Sequence, residues 1–140
     1  LIEGFVPRMI DKGSGRIVII SSIGAITAMP KSSIYSSIKS GVHAYGRSIS
    51  AELKDSGISV TVSMPGYVRT SAHKRAGLDH LEKKVPNWMW INAEDVVKET
   101  EKASQKGKSE IIPGKIYKIT KPFLKFESAI NLWKKITKRN

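Results

Sequence analysis

Apolar residues recur along this chain at two periods, and the periods alternate. Ile2, Phe5, Val6, Met9 and Ile10 fall on one helical face, the end of a helix that reaches Asp11 and tolerates Pro7. Lys12-Gly13-Ser14-Gly15 is a stop and turn signal. Arg16-Ile17-Val18-Ile19-Ile20 is a short β-branched run without polar alternation, which predicts a strand buried on both faces, as in a parallel sheet. A loop from Ser21 to Ser33, punctuated by Gly24 and Pro30, leads to a second helical pattern over Ile34–Ser56. There Ile38, Val42, Tyr45, Ile49 and Leu53 recur every three or four residues before Gly57 ends the run. Small residues such as Ser36, Ser40, Gly41, Ala44 and Gly46 would let another backbone approach that helix closely. Ile58-Ser59-Val60-Thr61-Val62 reads as a second short strand running toward Pro65-Gly66.

Beyond Thr70 the pattern loosens into an excursion from Ser71 to Asn92 that carries Leu78, Leu81, Val85, Trp88, Met89 and Trp90. Ala93–Lys106 is again helical, with Asn92 placed to cap it and Glu94 and Asp95 in the first turn, where the helix dipole favours acids. Ser109–Ile112 reads as a last short strand, and a basic amphipathic helix runs from Pro122 or Phe123 to Lys138. Helix and strand alternate throughout, which predicts an α/β fold with right-handed crossovers and a parallel sheet. The chain shows no internal repeat and no low-complexity linker.

Composition narrows the function classes. With 140 residues the chain is about one domain long, enough to bury a core, and at 40% hydrophobic residues it is no disordered polycation. The absence of cysteine excludes disulfide scaffolds, cysteine-ligated zinc and thiol catalysis, and fits a reducing, cytoplasmic setting. His43, His73 and His80 have no ligand-like spacing and read as surface or loop residues, so no metal site is expected. No apolar run is long enough to span a bilayer, and the start, Leu1-Ile2-Glu3-Gly4-Phe5, has no basic leader region. That start reads as if entered mid-helix, so the chain is expected to be part of something longer. The net charge of +12 is uneven, because residues 115–140 hold eight basic side chains against one acid, Glu127. The charge is a property of the tail first and of the whole chain second.

The candidate chemistry lies beyond the strand ends, where sites gather in open parallel sheets. Ser21 and Ser22 follow the first strand, and Pro65-Gly66-Tyr67-Val68-Arg69-Thr70 follows the second. Tyr35 and Lys39 open the long helix at i and i+4, so they share a face. A free phenol titrates near pH 10, too high for an efficient base near neutrality, and an adjacent ammonium favours the phenolate. Such a tyrosine can pass a proton to or from a carbonyl–alcohol oxygen while a serine hydroxyl holds that oxygen and a cofactor supplies the hydride.

With these blocks, from Gly15–Ser22 through Pro30 and Tyr35-Ser36-Ser37-Ile38-Lys39 to Pro65–Thr70, the chain resembles the C-terminal half of a short-chain dehydrogenase/reductase of the single-domain Rossmann type. Ser22 precedes Tyr35 by 13 residues, the spacing that family favours. The likeness covers about the first 100 residues and continues weakly through Asn92–Val97. It implies a doubly wound parallel-sheet Rossmann fold of which only the second half is present, with residues 1–114 in that half-domain and 115–140 as a basic helical tail.

The resemblance also implies roles. Tyr35 would be the general acid/base. Lys39 would lower its pKa and bind the nicotinamide ribose. Ser22, rather than Ser21, would orient the substrate oxygen. Pro65 and Gly66 would shape the turn against the nicotinamide of NAD or NADP, Val68 would meet the carboxamide through its backbone, and Thr70 would reach it or the phosphates. The substrate would be a small ketone or secondary alcohol. The family's Gly-x-x-x-Gly-x-Gly phosphate loop does not occur in the sequence, so the 140 residues alone are expected to bind cofactor poorly.

Other readings of the same residues stand beside this one. Ser22 is equally a turn cap, and Trp88, Met89 and Trp90 either line a lipophilic pocket or pack a short helix. The chain as a whole could be a non-catalytic fragment or an oligomerisation module that associates through the apolar strand edge or the small-residue helix. Residues 115–140 either lie on a membrane surface or pack against the body or a second subunit. Nucleic acid is not expected as a partner, because no reading module accompanies the basic patch.

Overall fold

The computed structural model describes residues 2–71, 75, 84–124 and 126–136. Helix α1 (Ile2–Lys12), strand β1 (Gly15–Ile20), helix α2 (Ser33–Glu52) and strand β2 (Ile58–Ser63) come first. Strands β3 (Tyr67–Arg69) and β4 (Trp90–Asn92), helix α3 (Ala93–Gln105), strand β5 (Glu110–Ile111), helix α4 (Lys115–Thr120) and helix α5 (Glu127–Ile136) follow. The main sheet has the order β1-β2-β5 and is parallel throughout, with Gly15 opposite Ile58, Ile20 opposite Ser63 and Val62 opposite Glu110. The fold is therefore α/β with a parallel sheet, as the alternation of patterns implies.

Strand periodicity sorts the side chains onto two faces. One face carries Ile17, Ile19, Val60 and Val62, and α2 lies directly on it. A Cβ on Gly46 would stand 3.1 Å from Ile19 Cδ1 and would run into Val62, so this helix approaches the sheet as closely as a glycine allows. The other face carries Ser59, Thr61 and Ser63, and α3 docks there through hydrogen bonds. The Ser63 and Thr100 hydroxyls pair at 2.8 Å, Ser59 Oγ donates to the Ser104 carbonyl at 3.2 Å, and Arg16 Nη1 meets Glu101 Oε1 at 2.7 Å.

The expectation that Arg16–Ile20 is buried on both faces is corrected here. Val18 and Ile20 point to the α3 side and remain 40% and 54% exposed. The β-branched run reports that both faces can be covered; α2 packs on the Ile19 face, while α3, centred on β2, leaves Val18 and Ile20 of β1 uncovered on the other.

Several boundaries differ from the periodic reading, each for a local reason. Helix α2 ends at Glu52, and Lys54–Ser56 tightens into a 3-10 turn that Gly57 closes at φ 72°. A left-handed residue there also meets the Gly13 carbonyl, which leaves no room for a Cβ. Tyr67–Arg69, just before the excursion, and Trp90–Asn92, at its end, form a separate two-stranded parallel ribbon. Three-residue strands are too short to show a period. Lys115–Thr120, for which the pattern predicts no element, forms α4, and the basic terminal helix starts only at Glu127 as α5, after a 3-10 turn over Lys121–Phe123 with Pro122 in its first turn. Phe5 and Ile10 of α1, grouped with its buried face by periodicity, are exposed, while Ile2, Val6 and Met9 pack on the core.

The core joins Ile19, Val60 and Val62 of the sheet to Met64, Tyr67, Met89, Trp90, Ile112, Tyr117 and Leu124. Two of these, Tyr117 and Leu124, lie beyond residue 114. Among the described residues no helix is long and apolar enough to cross a membrane.

Candidate active site

Three segments converge beyond the carboxyl ends of β1 and β2. The chain leaves β1 at Ser21, whose N–H continues the ladder to the Ser63 carbonyl at 2.8 Å and whose hydroxyl donates to the Lys39 carbonyl at 2.8 Å. Ser21 thus pins α2 to the strand end. Lys39 returns the tie, with Nζ donating to the Ile20 carbonyl at 3.2 Å. Ser40 Oγ adds a third bond between α2 and the loop, to the Ala25 carbonyl at 2.9 Å.

Ser22 is buried and caps the 3-10 turn Ile23–Ala25, its Oγ accepting the Gly24 N–H at 3.1 Å. The same hydroxyl donates to the Pro65 carbonyl at 3.5 Å, and that carbonyl also accepts the Ile23 N–H at 3.0 Å. The loops after β1 and β2 are therefore stitched together at Ser22–Ile23 and Pro65. Gly24 brings in the third segment. A Cβ built there would stand 3.2 Å from Tyr35 Cε1 and 3.6 Å from Ser22 Oγ, so serine and phenol flank one point.

Tyr35 is 47% exposed, and Lys39 Nζ stands 5.9 Å from the centre of its ring. Among the described residues the Tyr35 hydroxyl makes no hydrogen bond, so its proton is uncommitted. The arrangement can hold an oxygen atom beside a phenol and an ammonium in an open position, which suits proton transfer to a bound carbonyl or from a bound alcohol. Beside it a groove of about 620 Å³ runs between loop 24–31 and α2, with apolar Ile26, Met29 and Pro30 on one wall and Ser36 on the other. The hydroxyls of Ser36 and Thr27 in this groove are buried without a hydrogen-bond partner among the described residues.

The segment after β2 has a different character. Pro65 is buried, Val68 sits in β3 opposite Ile91, and Thr70 follows at the exposed end of that strand. Gly66 faces the chain itself. A Cβ there would enter the ring of Tyr117, which accepts the Tyr67 N–H at 3.1 Å and donates to the Met89 carbonyl. Burial pushes the ionisation of Tyr117 well up, so its hydroxyl stays a donor. Tyr117 carries no motif and lies among Lys115, Lys118 and Lys121. Its one sequence signal is an aromatic among otherwise basic and aliphatic neighbours.

Trp88, Met89 and Trp90 divide. Met89 and Trp90 are buried, with Trp90 Nε1 donating to the Val85 carbonyl at 3.2 Å and its ring 5.5 Å from Tyr67, while Trp88 is exposed. His43, read as a surface residue, is half-buried on α2 one turn beyond Lys39, where Nε2 meets Glu110 Oε2 at 3.2 Å. His73 and His80 lie outside the described residues.

A sequence profile of the family described as short chain dehydrogenase matches residues 1–80. The chain belongs to this family. Dehydrogenase/reductase SDR family member 7B of Danio rerio is 41% identical over 71 residues, which is 51% of this chain and 23% of that protein. D-beta-hydroxybutyrate dehydrogenase of Rhizobium meliloti (strain 1021) is 34% identical over 86 residues, 61% of this chain and 30% of its own. A short-chain dehydrogenase from Sphingobium yanoikuyae, solved in complex with NADPH, superposes with a TM-score of 0.67 at 27% identity. That match covers 76% of this chain and 40% of the solved one. The chain thus spans less than half the length of each of these relatives, and the match to the family profile includes Ser22, Tyr35, Lys39, Pro65, Gly66, Val68 and Thr70.

Proposed function

We propose that this chain is the catalytic half of an NAD(P)-dependent oxidoreductase that interconverts a ketone and a secondary alcohol. The observation that carries the proposal is the meeting of Ser22, Tyr35 and Lys39 at the strand ends, with the phenol open to a ligand. The residues present fit the nicotinamide-ribose part of the cofactor. Lys39 spends one N–H on Ile20 and has two left for ribose hydroxyls. Pro65 fixes the turn, and Val68 and Thr70 follow where backbone and hydroxyl groups would meet the carboxamide. Gly66 contributes by letting Tyr117 close beneath that turn. Bound NAD or NADP would supply or accept the hydride at the substrate carbon.

In the reducing direction Tyr35 donates its hydroxyl proton to the carbonyl oxygen, and in the oxidising direction the phenolate takes that proton back. Ser22 Oγ accepts one N–H and donates its own proton in a long 3.5 Å bond to the Pro65 carbonyl, and a bound substrate oxygen would take over that donation. The groove beside loop 24–31 suits a substrate with an apolar body. In a preparation of the intact protein that reduces a panel of simple ketones with NADPH, Tyr35→Phe should cut kcat by about 10²- to 10⁴-fold, the usual worth of a general acid/base. NADPH binding, followed by fluorescence titration, should persist. Unchanged turnover would overturn the assignment.

Two further readings rest on exposed apolar side chains. Ile34, Ile38 and Tyr45 of α2 are exposed, as are Phe5 and Ile10 of α1, which suits association with a second copy of the chain. Ile119, Phe123, Phe126 and Leu132 are exposed among the lysines of residues 115–140, which suits contact with an anionic membrane surface by a cytoplasmic protein. Flotation with phosphatidylserine vesicles at low salt tests the second reading. Failure to float, or equal flotation by a chain with Phe123 and Phe126 changed to Ser, removes it.

A further inference from the structure

The cleft between α2 and the β5 side of the sheet changes along its length. At its upper end the polar side chains are answered by the chain itself. His43 Nε2 meets Glu110 Oε2 at 3.2 Å, and Lys121 Nζ closes on Glu110 Oε1 at 2.7 Å. One helical turn further on, Arg47 opens a groove of about 560 Å³ that is also lined by Ser50, Lys54, Gly57, Val60 and Ser109. Among the described residues no acidic side chain lines it. The groove lies at the amino-terminal end of β2, opposite to Pro65 and the candidate active site.

A backbone donor points into this groove. In a parallel ladder, successive residues turn their N–H and C=O groups to alternate sides. The Ser63 carbonyl accepts from Ser21 on the β1 side, whereas the N–H groups of Val62 and Met64 donate to the Ser109 and Ile111 carbonyls on the β5 side. Val60 therefore also faces the β5 side. Strand β5 begins at Glu110, opposite Val62, so no strand stands across from Val60. Val60 is 2% exposed, and among the described residues nothing accepts its N–H. A buried amide left so costs about 1–3 kcal/mol, and native proteins satisfy such groups with water or ligand.

We propose that this groove binds a compact oxyanion, a phosphate or carboxylate group carried by a small molecule. Arg47 on α2 and Lys54 in the 3-10 turn that follows it both line the groove and supply the charge. The Val60 N–H supplies a fixed donor in the same groove, and Ser50 and Ser109 add hydroxyls to its lining. At the upper end of the cleft a carboxylate, that of Glu110, already lies between His43 of α2 and Lys121.

The test is a titration of the 140-residue chain with inorganic phosphate and, separately, acetate at constant ionic strength, followed by the amide resonances of Val60, Gly57, Gly107 and Ser109. A saturable shift centred on Val60 is expected, and the anion that saturates first names the group. Arg47→Ala and Lys54→Ala should each weaken binding about tenfold, the worth of a charge-assisted hydrogen bond, while Lys98→Ala on α3 leaves it unchanged. Non-saturating drift, or equal weakening by Lys98→Ala, overturns the proposal. So does protein-concentration-dependent broadening of these amides without anion, which would assign the groove to a second copy.

Discussion

Two tyrosines of this chain carry the same side chain to opposite ends. Tyr35 is half exposed at the mouth of the strand ends, with an ammonium beside its ring and its hydroxyl uncommitted among the described residues. Tyr117 is 1% exposed, its ring lies against Gly66, and its hydroxyl is used both ways, toward Met89 and Tyr67. A phenol that does chemistry must be reachable and must have a proton to give. A phenol that holds structure must have neither property. The contrast separates the region that carries the proposed reaction from the region that fixes the loops around it.

The comparison breaks most visibly at Tyr117. Tyr117→Ala empties a core position and should cost about 3–5 kcal/mol in denaturant unfolding, whereas Tyr35→Phe should stay within about 0.5 kcal/mol of the parent. Equal losses would show that the two sites are not distinct in kind. Gly66→Ala drives a methyl into the Tyr117 ring and should cost about 1–3 kcal/mol. The cost should shrink when Tyr117 is already Ala, and a double-mutant cycle with no coupling would place the contact elsewhere. Tyr117→Phe keeps the ring but strands the Tyr67 N–H and the Met89 carbonyl, at about 1–3 kcal/mol. Its melting curve should fall between those of the parent and Tyr117→Ala.

The smallest effect concerns the Glu110 cluster. The hydrogen bond from Lys121 first, and that from His43 after it, hold the Glu110 carboxyl below the ordinary glutamate range. A carboxyl depressed in the folded state adds stability above its unfolded pKa and loses it as the pH falls through the folded value. Because the pair is partly exposed, the effect should reach about 1 kcal/mol at most. Glu110→Gln should flatten the acid limb of the stability profile by that amount, and an unchanged limb would show that solvent screens the cluster.

Much of the frame is readable in the residues themselves. The alternation of Ile38, Val42 and Ile49 with the runs at 16–20 and 58–62 gives helix and strand because side-chain period follows backbone geometry. The Ser22, Tyr35 and Lys39 set is readable because its spacing is local: one loop and one helical turn hold all three. Tyr117 escaped for the opposite reason. Its partners, Gly66, Tyr67 and Met89, are 28 to 51 residues away and share no pattern with it. The short ribbon of Tyr67–Arg69 and Trp90–Asn92 escaped because three residues cannot establish a period.

The sequence by itself determined the α/β order, the parallel sheet, the family and the candidate catalytic set, since each rests on near neighbours whose geometry the backbone dictates. Only the tertiary structure decided which face of β1 is covered, how Tyr117 locks the turn after β2, and that Arg47 and Val60 share a groove. Those depend on which distant segments arrive at a surface, and that is set by packing and hydrogen-bond satisfaction over the whole chain.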